Sequence, residues 1–172
     1  QISLLEYFER MTGWKADPWQ VHLCSLLQDR AENRHIHGSR DVFGAEPQLG
    51  KTIIISQHLP PWLMGHDPLF KFALAMYNSE LSERHSKIII RIMQSELHRS
   101  MFPNKNGWLF SNTPAVSGWY TNASMEGNAG QFSFNPVGLL SGITGTGPNW
   151  IGVDDPYRSE RDAFSPQVNK SI

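Results

Sequence analysis

Glu46-Pro47-Gln48-Leu49-Gly50-Lys51-Thr52 closes with the Gly-Lys-Thr triplet of a phosphate-binding loop. Each residue type has a physical task there. Gly50 lets the backbone curl so that successive N–H groups face one concavity. Lys51 brings a compact positive charge to the β- and γ-phosphates, and Thr52 offers a hydroxyl to Mg²⁺. Ile53-Ile54-Ile55 follow and suit a buried helix whose positive dipole end faces the phosphates. The full G-x-x-x-x-G-K-[ST] spacing needs glycine at position 45; the chain has Ala45 there and Gly44 one place earlier. By itself the triplet also fits an ordinary helix start that carries Lys-Thr. Asp41-Val42-Phe43-Gly44-Ala45 reads as a short strand-type lead-in, so the expected order is strand, tight loop, helix.

About a hundred residues on, Trp150-Ile151-Gly152-Val153 is an apolar run that ends in Asp154-Asp155. A loop that binds ATP-Mg²⁺ needs one carboxylate near the metal and one near the attacking water. Neighbouring residues at a strand end supply both, because their side chains diverge. Asp154 is the candidate magnesium ligand together with Thr52, and Asp155 the candidate base or water orienter. Read alone, the pair also fits a strand followed by an acidic turn at Pro156.

With these residues in hand, the chain resembles the ATPase domain of the large terminase subunit of tailed bacteriophages, the motor that packages DNA into capsids. Four stretches carry the resemblance, in the family's order and across nearly the whole chain. They are Pro18-Trp19-Gln20; Glu46 to Thr52; Ala75-Met76-Tyr77-Asn78-Ser79-Glu80-Leu81-Ser82 with Ser86 and Met101-Phe102-Pro103; and Gly142-Ile143-Thr144-Gly145-Thr146-Gly147 leading into Val153-Asp154-Asp155-Pro156. The third and fourth are the most specific, since phosphate-loop proteins at large do not share them.

The resemblance implies an α/β fold of the ASCE-type P-loop NTPase class, with a mostly parallel sheet flanked by helices. It implies ATP and Mg²⁺ as cofactors, held by Gln20 at adenine and by Glu46, Pro47, Gln48, Leu49, Gly50, Lys51 and Thr52 around the phosphates. Double-stranded DNA, the portal and the small terminase subunit are the implied partners, in a homo-oligomeric ring on the procapsid in the host cytoplasm. The chain also departs from the family. An arginine is frequent inside the phosphate loop, where Pro47 and Gln48 stand, and in the T-G-x-G loop, where Thr144 and Thr146 stand. Arg158 and Arg161, just past the acidic pair, are the nearest candidates for a catalytic guanidinium, with Arg99 behind them. The acidic pair ends in Asp155 where Glu is common, one methylene longer. Two other readings stay open: a helicase-like P-loop translocase, and a non-catalytic nucleotide-binding assembly module.

Composition agrees with a globular domain. The 172 residues are 40% hydrophobic, enough for one sizeable core and a single domain over 1–172. The chain opens at Gln1 and closes at Asn169-Lys170-Ser171-Ile172, inside what resembles the helix after the acidic pair. The expectation is therefore truncation at the C-terminus, with no nuclease domain present. A formal net charge of −1 excludes a global basic field, so DNA contact must come from local patches. One cysteine, Cys24, excludes an internal disulfide framework and suits a reducing cytoplasm. No apolar run reaches the roughly 20 residues that cross a bilayer, and no secretory signal is visible.

The layout expected from periodicity is helical at 2–12, 18–32 and 79–94, with Asp17 and Ser79 as caps. Strands are expected at 70–77, 108–110, 115–119, 123–125, 131–134 and 151–153, and an irregular Pro/Trp-rich connection at 58–68. Arg84, Lys87 and Arg91 share one face of the 79–94 helix, as a phosphate-tracking stripe or a solvated face. His85 and His98 read as exposed polar residues. His22 with Cys24, and His35 with His37, lack a second pair, so no zinc site is expected. The glycines of 142–147 precede a strand rather than opening a helix, which excludes a dinucleotide fingerprint.

Overall fold

Local chemistry fixes the first two helices. Ser3 accepts the Glu6 amide at 3.1 Å and starts α1 (Leu4–Thr12), which Gly13 closes at φ 72°. Asp17 starts α2 (Pro18–Glu32) through a reciprocal box. Its carboxylate accepts the Gln20 amide at 2.9 Å while Gln20 Oε1 accepts the Asp17 amide at 3.1 Å. Pro18 sits in the first turn, where a missing N–H costs nothing. The computed structural model describes residues 1–33, 41–43, 48–103, 110, 114–123, 132–139 and 147–157.

A third helical stretch starts at Lys51, its first backbone bond running from Ile54 N to Gly50 O at 3.1 Å. It widens at once into a π turn (Ile53–His58) and returns to α geometry as α3 (Leu59–His66). Pro60 and Pro61 explain the change. Neither has an N–H, so the ladder must be interrupted ahead of them. Leu59 N instead reaches Ile54 O, and the His58 ring Nδ1 donates to Ile53 O at 2.8 Å. The expected Pro/Trp-rich connection at 58–68 is thus a helix as far as His66, because both prolines fall in its first turn.

The sheet is small and wholly parallel. Its order is β2 (Phe134–Gly138), β1 (Phe72–Met76), β3 (Trp150–Val153). Phe72 lies opposite Phe134 and Trp150, and Ala75 opposite Val137 and Val153. β1, paired on both sides, is buried along its whole length. Pro136 is tolerated because β2 is an outer strand of the described sheet. Helices α4 (Ser79–Gln94) and α5 (Glu96–Met101) follow β1. The cap of α4 is Asn78, one residue before the expected Ser79. Among the described residues the chain is therefore a mixed α/β fold with a three-stranded parallel sheet flanked by helices.

Several expected strands differ. Asp41-Val42-Phe43 forms none; Val42 is 95% exposed, and Asp41 is paired with Arg30 of α2 at 3.1 Å. Gly44 and Ala45 lie outside the described residues, as do most of 108–110 and 123–125. Residues 115–119 make a turn that ends in an isolated antiparallel bridge from Trp119 to Phe134. The strand expected at 131–134 begins only at Phe134 and runs on to Gly138.

The core joins two aromatic layers. Under the sheet, Phe72, Phe134 and Trp119 stack in sequence, and the Trp119 indole donates to Ser86 Oγ at 3.0 Å. Beside α1, Tyr7 and Phe8 pack edge-on to His58, and Tyr7 OH bonds His98 Nδ1 at 2.8 Å. A Cβ on Gly65 would fall 2.6 Å from the Phe102 ring, so only glycine fits that approach. His98, expected to be exposed, is completely buried. Burial, helped by the neighbouring Arg99 charge, drives its pKa down to about 3. The unfolded chain carries His98 at an ordinary value near 6.5, so it binds the extra proton throughout the window between these two values. Burial pulls His58 in the same direction. We expect fold stability to be full above about pH 6.5 and to fall steadily towards about pH 3. Urea midpoints measured across that range check this, and His98→Gln should flatten the acid limb.

Candidate functional site

The C-terminal ends of β1 and β3 lie side by side. Asp154 N continues the pairing to Ala75 O at 3.0 Å, and Tyr77 N bonds Asp155 O at 3.1 Å. Asp155 then turns the chain at φ 43°, a left-handed conformation uncommon outside glycine. In open parallel sheets this edge is where ligands bind.

The helix that starts at Lys51 runs to the same edge. Ser56 Oγ donates to Asp154 Oδ2 at 2.7 Å across 98 residues of sequence. Ser56 is fully buried and lies four residues past Thr52, so both stand along one side of the helix. The next residue, Gln57, bonds His85 of α4, Nε2 to Nδ1 at 3.3 Å. Burial lowers the His85 pKa, while the charges of Asp154 and Asp155 act in the opposite direction. Lys51, Thr52, Ser56, Gln57, His85, Asp154 and Asp155 therefore belong to one region.

The loop ahead of the helix is held from α2. Gln20 Nε2 donates to Leu49 O at 3.2 Å while its Oε1 stays in the capping box. Gln20 is a strut between α2 and the loop; an adenine contact using both amide ends would exchange these bonds. Gln48 and Gly50 take φ of 68° and 83°. The positive φ favours glycine at position 50, and a Cβ there would lie 2.9 Å from Gln20 Nε2 and displace the amide that reaches Leu49 O. The amides of Lys51, Thr52 and Ile53 occupy the first turn, at the positive end of the helix.

Of the residues named from sequence, Gln20, Gln48, Leu49, Gly50, Lys51, Thr52, Asp154 and Asp155 are described, and Ser56 links the two groups. Glu46, Pro47, Arg158, Arg161, Thr144 and Thr146 lie outside the described residues. Arg99 is exposed on α5. Ser56, Gln57 and His85 were missed. Helical periodicity from Thr52 pointed to Ser56, but nothing in the sequence pairs position 57 with position 85. Among the described residues, no group of three or more His, Cys, Asp or Glu side chains forms a metal cage. The hard oxygens of Thr52 and Asp154, the expected ligands, are of the type magnesium takes, and that ion uses few protein ligands and completes its shell with water and phosphate. Among the same residues no helix is long and apolar enough to cross a membrane.

Comparison with protein-family models, curated proteins and solved structures finds no match. The site must be argued from its own geometry.

The charge-assisted bond from Ser56 should contribute about 1.5–3 kcal/mol. Ser56→Ala is expected to lower the unfolding free energy by that amount in urea titrations, and Asp154→Asn in the Ser56→Ala background should add little.

Proposed function

We propose that this chain is a Mg²⁺-dependent P-loop ATPase domain of a DNA-packaging motor of the large-terminase kind. The observation that carries the nucleotide half of the reading is the Ser56–Asp154 bond. It joins the acidic end of β3 to the helix that opens with Gly50-Lys51-Thr52. The motor half is supported by the four sequence stretches that resemble that family.

On this reading ATP lies with its phosphates against the amides of Gly50 to Ile53 and the Lys51 ammonium. Thr52 and Asp154 would hold magnesium, which would supply charge neutralisation towards the phosphates. Asp155 orients a water for in-line attack on the γ-phosphorus and takes up its proton. Catalysis comes from positioning and charge neutralisation more than from covalent chemistry. Arg158 or Arg161, or the same residue of a neighbouring subunit in a ring, supplies the guanidinium.

Double-stranded DNA would run along exposed cationic side chains. Arg84, Lys87 and Arg91 stand exposed on α4, with Arg84 in an exposed pair with Glu80 at 2.7 Å. Such a pair contributes little and exchanges readily for a phosphate. The portal and small terminase subunit are the remaining partners by resemblance.

Lys51→Ala should weaken binding of a fluorescent ATP analogue about 10- to 100-fold, as expected for losing a charge-assisted contact. Unchanged affinity would sink the phosphate-loop assignment. Asp155→Asn should keep that affinity and slow ATP hydrolysis by roughly 10²-fold or more in a phosphate-release assay. A wild-type rate in that variant transfers the role to another acid, Glu46 first. If the guanidinium comes from a neighbour, specific activity should rise with protein concentration and should fall in Arg158→Ala or Arg161→Ala.

A further inference from the structure

Gln20 ties the start of α2 to the loop that precedes Lys51. Its Oε1 accepts the Asp17 amide at 3.1 Å, which closes the capping box, and its Nε2 donates to Leu49 O at 3.2 Å across 29 residues of sequence. The backbone amide of Gln20 is held in turn by Asp17 Oδ1 at 2.9 Å, and Pro18 stiffens the same turn. The side chain is therefore aimed at the loop from a capped helix start.

The contact falls on a constrained peptide. Leu49 stands between two left-handed residues, Gln48 at φ 68° and Gly50 at φ 83°. For Gln48, which has a Cβ, that conformation is uncommon and persists only where the surroundings impose it. The Leu49–Gly50 peptide is planar and trans, so its carbonyl and its N–H point in opposite directions. Holding Leu49 O towards α2 therefore turns the Gly50 N–H away from α2. The Gly50 carbonyl is fixed separately, as acceptor of the helical bond from Ile54 N at 3.1 Å. Both peptides of Gly50 are thus set by the chain itself, one through Gln20 and one through the helix.

Bidentate reading of adenine needs Oε1 and Nε2 turned together to the base edge, whereas here they face the Asp17 amide and the Leu49 carbonyl. We propose that Gln20 is a positioning residue for the phosphate loop: through the Leu49–Gly50 peptide it aims the Gly50 amide at the triphosphate, and it does not select the base. The inference rests on the ATPase reading of the same site and deepens it. The contribution of Gln20 then extends to any ligand that carries a triphosphate, whichever base it bears and even with none.

The test compares ATP, GTP and inorganic tripolyphosphate, each with Mg²⁺, in calorimetric titrations of the wild-type chain, Gln20→Met and Asp17→Ala. Methionine keeps the length of glutamine and removes both amide bonds. Asp17→Ala takes the side-chain cap off α2 but leaves both backbone partners of the Gln20 amide in place, so it reports a weakened helix start alone. Gln20→Met should weaken all three ligands by one common factor of about 2- to 10-fold, the range of one hydrogen bond. Asp17→Ala should leave all three affinities unaltered. In ligand-free protein the Gly50 and Lys51 amide NMR signals should shift in Gln20→Met and hold their places in Asp17→Ala. An ATP affinity that falls while GTP and tripolyphosphate keep theirs makes Gln20 an adenine contact and overturns the positioning role, with the ATPase reading intact. Unaltered affinity of Gln20→Met for all three ligands overturns it too. So does an equal loss in Asp17→Ala, which traces the effect to the stability of α2. Failure of the wild-type chain to bind any of the three overturns the ATPase reading together with the inference.

Discussion

Everything at the candidate site depends on one strand being paired from both sides. The backbone of Phe72–Met76 holds β2 on one flank and β3 on the other, and its five side chains are all buried. A strand in that position has no polar group left to adjust, so it sets the level at which its neighbours end. Asp154 bonds to Ala75 O because β3 continues alongside β1, and α4 starts where it does because Asn78 caps the chain just past Met76. The acidic pair, the start of α4 and His85 take their positions from this central strand.

Against that frame the Lys51 helix is an independent element brought in by side chains. Its first contact with the sheet edge is polar, from Ser56 to Asp154, and its apolar side supplies Ile54 and Leu59 to the core. The loop before it is set from the opposite direction by Gln20 on α2. The region is therefore assembled from three sources far apart in sequence, each through one or two directional bonds. Directional bonds fix orientation more than they add stability.

The elements most legible in the sequence were those with strong local signals. The Asp17-Pro18 cap defined α2 to the residue, and the Ile-rich periodicity defined 79–94 as a helix. The apolar run before Asp154 was visible as a strand, although its start at Trp150 was not. The errors have identifiable causes. The stretch 58–68 read as a Pro/Trp-rich connection, but Pro60 and Pro61 fall in the first turn of α3, where no N–H is required. Asp41 to Ala45 read as a strand from its apolar residues, but Val42 is almost fully exposed and residues 41–43 pair with no strand. His98 read as polar and exposed because composition cannot reveal that Tyr7, 91 residues away, supplies its partner. Among the candidate site residues, the loop and the acidic pair were named from spacing. Ser56, Gln57 and His85 were not, because what unites them is tertiary contact across as many as 98 residues.

The prolines of α3 have a mechanical consequence. From Lys51 to His66 the chain looks like one rod, but two successive rungs of its ladder are missing where Pro60 and Pro61 stand. The segment is better described as two short rods, the π turn taking up the mismatch between them. The upper rod carries the loop and grips β3 and α4; the lower rod buries its own Trp62, Leu63 and Met64 in the core. Because Ile54 and His58 of the π turn are themselves packed into the core, a displacement at Gly50 reaches Asp154, His85 and the interior together.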